Sequence, residues 1–143
     1  MAYTIEQLLA MPQAKLDELF TASEAGPIPD GEAHGTAIVA PGTKFTREIA
    51  FFVNHFAWKG KVFDAKMGLL KNKISAVGFP AIVARVYKDA SWLDGKECIV
   101  LDYSETSIVA QWIRDEIRMI QPNFYLGKVY WNKARLIDFA LQF

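Results

Sequence analysis

The chain has 143 residues, 52% of them hydrophobic and 22% charged, which is the size and composition of one folded domain and excludes a disordered chain. Sixteen basic residues balance sixteen acidic ones, so no long-range field draws the protein to nucleic acid or to an anionic membrane. With Cys98 as its single cysteine, it forms no internal disulfide, as expected in a reducing compartment.

Thr4 and Gln7 have the spacing of a capping box, and Ile5, Leu8 and Leu9 then share a helical face. Pro12 suits the start of a new helix, and Leu16, Leu19 and Phe20 resume the stripe. Two short helices, or one kinked helix, are predicted over 4–22. The run Gly26-Pro27-Ile28-Pro29-Asp30-Gly31 predicts a loop, with Asp30-Gly31 as a tight turn. Residues 35–40 follow as a small strand. Thr43 is a candidate helix cap, and Phe45, Ile49, Phe52, Val53 and Phe56 fall on one helical stripe beside His55.

At Trp58 the pattern turns to β. Residues 58–65 alternate as an opening strand, Met67-Gly68 and Asn72-Lys73 supply turn chemistry around Leu69-Leu70, and Lys73–Val77 reads as a second short strand. Residues 80–88 and 97–103 are strands joined by a hairpin connection over 89–96 with Asp94-Gly95 at its turn. A helix is predicted over 106–112, while 113–120 satisfies helical and strand periodicity alike. The final hairpin pairs 124–131 with 135–143 across Asn132-Lys133-Ala134.

The residues Ala57–Phe63 (AWKGKVF), with tryptophan near glycine on the first main strand, resemble the opening of lipocalin-like, or calycin, barrels. Here the glycine follows the tryptophan instead of preceding it. Leu93–Tyr103 (LDGKECIVLDY), Ile113–Arg118 (IRDEIR) and Tyr125–Tyr130 (YLGKVY) resemble a group of uncharacterised bacterial proteins of this type. The resemblance implies a barrel enclosing a hydrophobic cavity and implies no catalytic residue. The expected fold is mostly β: an antiparallel lipocalin-like barrel of about six to eight strands, with N-terminal helices packed at one end. The alternative is an NTF2-like α+β cone. One domain is expected over 1–143, with a helical and loop part at 1–56 and the barrel at 57–143.

The chemical inventory is sparse. Two distant histidines and one cysteine offer no metal-ligand spacing, and no glycine-rich phosphate loop occurs, so neither metal nor cofactor is expected. Cys98 reads as a small buried hydrophobe. His55 and Asp102 are the candidate catalytic groups, since a carboxyl facing a cavity has a raised pKa. In the segment 114–118, Arg114 is a candidate for holding a ligand carboxylate at a pocket mouth; otherwise the segment is a solvated face with Asp115 paired to Arg118. Arg85 stands mid-strand among apolar residues and, if inward, needs an anion such as Asp102, Asp138 or a ligand acid.

The leading functional expectation is a cytoplasmic binder of a small hydrophobic molecule, with or without a carboxylate. It would be lined by Trp58, Phe63, Tyr87, Tyr103 and Tyr130 and anchored by Arg85 and Arg114. The alternatives are a small isomerase, cyclase or hydrolase in the same cavity, and an interaction module, such as a homodimer formed through Trp92 or Trp131. The N-terminus lacks the charged and apolar segments of a secretory leader, and no apolar run approaches the roughly 20 residues of a membrane span. No nucleic-acid partner and no membrane insertion are expected.

Overall fold

The structure, a computed structural model, describes residues 2–44, 46–52, 61–72, 82–104 and 112–143. Two helices, α1 (Ile5–Ala10) and α2 (Gln13–Ala22), precede β1 (Gly31–Ile38); α3 (Arg47–Phe52) leads to β2 (Lys61–Asp64) and β3 (Leu69–Asn72). Then come β4 (Ile82–Ala90), β5 (Glu97–Asp102), β6 (Ile113–Gln121), β7 (Phe124–Trp131) and β8 (Ala134–Gln142). Each strand pairs antiparallel with the next, and β1 pairs with β8, so the eight strands close into a barrel with no free edge among them.

Strand alternation explains how one sheet makes two cores. Ile99 and Leu101 point inward with Phe63, Leu70, Tyr103, Ile117, Val129, Phe139 and Leu141. Cys98 and Val100 point outward with Phe124, Leu126 and Ala140, where Leu8, Leu16 and Phe20 of α1 and α2 cover them. The N-terminal helices thus pack against the outer wall at one end of the barrel. Most inward side chains of the described strands are 0–5% exposed, and Ala37, Met119, Trp131 and Leu136 are half-buried against them. An eight-stranded barrel is just wide enough for its side chains to fill it, and here they pack against one another.

The filling is tight at Gly127. It lies opposite Phe139, and a Cβ there would sit 2.3 Å from the ring. Gly127→Ala is expected to cost about 1–3 kcal/mol by overpacking, read as a lower urea midpoint at unchanged slope. An unchanged midpoint would mean that the Phe139 ring has another place to go.

Residues 23–30 cross the barrel end where β6 turns into β7. There Ala25 and Ile28 join the interior cluster, the Met119 N–H donates to the Ala25 carbonyl (3.2 Å), and the Tyr125 hydroxyl donates to that of Pro27 (2.7 Å).

The N-terminal prediction holds in detail: Thr4 and Gln7 form the capping box, and the helix pair is two separate helices. Three local readings are corrected. Gly31 opens β1 with φ +90° instead of ending a loop, because glycine alone enters that conformation without strain. Leu69-Leu70 belongs to strand β3, where Leu70 fills the interior. The ambiguous 113–120 segment is strand, so Asp115 and Arg118 face opposite sides of the sheet and do not pair as on a helix. The predicted strand 73–77, residues 106–111 of the predicted helix, Trp58 and His55 lie outside the described residues, and Trp112 stands in a turn just before β6.

Candidate functional site

The candidate residues divide by strand parity. Phe63 and Tyr103 are buried in the interior cluster. Arg85, Tyr87, Asp102, Arg114 and Tyr130 stand on the outer face instead, because each alternates with an inward neighbour such as Ala84, Val86, Leu101, Ile113 or Val129. Arg85 is therefore no buried interior cation; it is exposed.

The register brings these outward residues together. Arg85, Asp102, Arg114, Tyr130 and Arg135 are successive Cα partners across β4, β5, β6, β7 and β8. At about 4.8 Å per strand, the row runs roughly 19 Å around the barrel wall. It lies at the end opposite the 23–30 crossing, just beyond the outer surface that α1 and α2 cover.

Beside the row, Tyr87, two positions beyond Arg85 on β4, reaches across to donate its hydroxyl to Asp102 (2.8 Å). Burial first, and then the Asp102 carboxylate, push the Tyr87 phenol up to about 12. For Asp102 itself, partial burial acts upward. The hydrogen bonds from Ser104 and Tyr87 outweigh it and hold the carboxyl below its usual range. An acid so held is ionised at neutral pH and a weak proton acceptor.

Arg114 donates through Nε (3.1 Å) and Nη2 (3.0 Å) to Glu116, and through Nη2 to the Ala90 carbonyl (2.9 Å). Its guanidinium lies 4.3 Å from the centroid of the Trp92 ring. Glu116 is fully buried and also accepts from the Ser91 hydroxyl (2.6 Å) and the Trp92 N–H (2.8 Å). One buried carboxylate therefore ties the β4–β5 loop to β6 and holds the Trp92 backbone in place.

Trp92 separates two open clefts. On one side, a cleft of about 260 Å³ is lined by Trp92, Trp112, Arg114, Asp102, Ser104 and Lys133. On the other, a wider cleft of about 550 Å³ is lined by Trp92, Leu93, Tyr130, Lys133 and Arg135. Trp92 is 48% and Trp112 52% exposed, unusually open for indoles. Tyr130 lies beneath Trp92, with ring centroids 5.0 Å apart at 73°.

Neither tryptophan was a predicted ligand contact, although both carried signals. Trp92 sits in the hairpin connection and Trp112 at a periodicity break, where large rings lack an interior to fill. Asp115 was also missed. It is a fully buried carboxylate on the inward face of β6, between Leu101 and Val129 in register. Cys98 is buried, which pushes its thiol up to about 12 and leaves it unreactive. No cluster of metal-ligating side chains occurs among the described residues.

The fold is an eight-stranded antiparallel barrel with N-terminal helices, consistent with the calycin or lipocalin-like class, an architecture that can hold a ligand. A crystallised protein from Thermomonospora curvata has a similar structure, with a TM-score of 0.63 over 93% of this chain and 88% of that one, at 15% identity. That likeness concerns the fold alone. No protein-family model matches the sequence, and no curated protein matches it. No described helix is long and apolar enough to cross a membrane.

Proposed function

We propose that the protein binds a small aromatic molecule bearing an acidic group, at the barrel rim between Trp92 and Trp112. The observation that carries this reading is the pair of half-exposed indoles walling one cleft with Arg114 and Lys133 at its edge. Indole faces offer large, rigid apolar surface at low entropic cost, and the Lys133 ammonium at the cleft edge favours an anion. The closely packed inward side chains of the described strands support a rim site over a deep one. The ionised, hydrogen-bonded Asp102 favours binding over proton-transfer chemistry at the rim.

Calorimetric titration of the full chain with 2-naphthoate tests this. Trp112→Ala is expected to weaken binding by about tenfold, the worth of one aromatic wall, with little change in Tm because the ring is half-exposed. Equal affinity in the variant, or no binding to the parent chain at millimolar concentration, would remove the proposal.

A further inference from the structure

Resting on that reading, we infer that the ligand's acidic group is taken by Lys133 and the Tyr130 hydroxyl on the far side of Trp92. Two independent observations meet there.

The first is the Tyr130 phenol. The side chain is 3% exposed, and its hydroxyl is buried with no hydrogen-bond partner among the described residues. A hydroxyl withdrawn from water without a partner is unfavourable, yet this one belongs to a residue lining an open cleft. Phenylalanine would fill the same space without that loss. Binding there requires the half-exposed Trp92 ring to turn aside, which would admit an acceptor to the hydroxyl and join the two clefts at Lys133, a lining residue of both.

The second is the backbone at Lys133. Asn132 and Lys133 form the tip of the β7–β8 hairpin with φ of 49° and 71°. This is the left-handed pair of a tight hairpin turn, whose second position is ordinarily glycine. A lysine there is strained. Its side chain lines both clefts and has no carboxylate within ion-pair distance among the described residues. The other two cations nearby are already engaged: Arg135 with Asp17 and Arg114 with Glu116. Of the three described cations that line these clefts, Lys133 is thus the one without a carboxylate partner, at a position the fold would give to glycine.

Trp92 becomes the shared wall of a two-part site. The aromatic body of the ligand lies against Trp112, and its carboxylate accepts from Tyr130 Oη and Lys133 Nζ. A neutral ligand of the same shape keeps the first part and loses the second.

The experiment compares 2-naphthoate with neutral 2-naphthamide by calorimetry on the full chain, on Tyr130→Phe and on Lys133→Gly. The parent is expected to prefer the carboxylate by at least about tenfold. Each variant is expected to lose most of that preference, to bind the amide as before, and to show an unchanged or raised Tm. The last point excludes failure to fold as the cause. If both probes bind the parent but the preference survives in both variants, this inference is overturned and the rim site stands. If neither probe binds the parent, the rim site falls and the inference with it.

Discussion

Arg118→Ala is expected to lower the unfolding free energy by about 3–5 kcal/mol, the usual consequence of removing one member of a buried charge cluster. The Tm would fall by on the order of 10 °C. Arg118 is fully buried on the outer face of β6. It makes a fork to Asp94 (2.7 and 2.8 Å) and donates to the carbonyls of Phe20, Lys96 and Glu97 (3.0, 3.0 and 3.1 Å). Its guanidinium also lies 4.5 Å from the centroid of the Phe20 ring. One side chain therefore joins the end of α2, the β4–β5 loop and the start of β5. Alanine leaves three carbonyls and a carboxylate short of donors at once.

The same clasp sets an acid limb of stability. The Arg118 fork lowers the Asp94 carboxyl from 3.8 to about 2. A carboxyl depressed in the folded state stabilises the fold above its unfolded pKa and ceases to do so as pH falls through the folded one. This contribution is lost between about pH 4 and 2, and Arg118→Ala should flatten the stability profile there. Chemical denaturation at several pH values checks both parts. A loss below about 1 kcal/mol, of the size of an exposed pair, would show that the clasp does not hold the helix to the barrel.

Lys128→Met is the second large effect, again about 3–5 kcal/mol at neutral pH. Lys128 is 1% exposed on the outer face of β7. It pairs with Asp138 (2.6 Å), itself 2% exposed, and with Asp17 of α2 (2.7 Å). Gln13 bonds both acids, and Arg135 holds Asp17 from the other side. The two carboxyls behave oppositely. Asp17 is partly buried, but its bonds to Arg135 and Lys128 prevail and hold it well below the usual range. Asp138 is held above its usual value by burial, which the Lys128 charge only partly offsets.

Without the lysine, burial acts on Asp138 with only the more distant Arg135 charge and the Gln13 hydrogen bond against it. A carboxyl raised in the folded state stabilises most when protonated, and that contribution is lost as pH rises through the folded pKa. The deficit of Lys128→Met should therefore shrink as pH falls below neutral. Adding Asp138→Leu should restore much of the loss at pH 7, since the buried charge has gone. A deficit independent of pH and unrelieved by the second substitution would assign the effect to packing.

Much of the barrel is legible in the sequence because its signals are local. The alternation in 97–103, the turn at Asp94-Gly95 and the hairpin across Asn132-Lys133 each follow from a few neighbouring residues. The capping box at Thr4 likewise needs only residues 4–7. The candidate site is not local, and that is why it was read only in part. Alternation sorts Arg85, Asp102, Arg114 and Tyr130 into faces, but it does not say which face is inside when both are largely apolar. Here the outer face is apolar because α1 and α2 cover it, so Cys98 and Val100 mimic an interior. Aromatic rings such as Tyr87 and Tyr130 were therefore assigned to a cavity while they stand on the wall. The row that Tyr130 forms with Arg85, Asp102, Arg114 and Arg135 depends on the register of four strand pairs, which no single segment encodes. Arg118 was missed as a clasp for the same reason: its partners Phe20 and Asp94 are 98 and 24 positions away.

The rim site is tested most directly by a two-dimensional NMR titration of the isotopically labelled full chain with 2-naphthoate, following indole N–H and methyl signals together. The predicted result is that the Trp92 and Trp112 indole signals move with a common saturation curve while the interior methyls of Leu101, Ile117 and Leu141 stay still. Movement of those interior methyls with the two indoles unchanged, or no movement of any signal at millimolar probe, would contradict it.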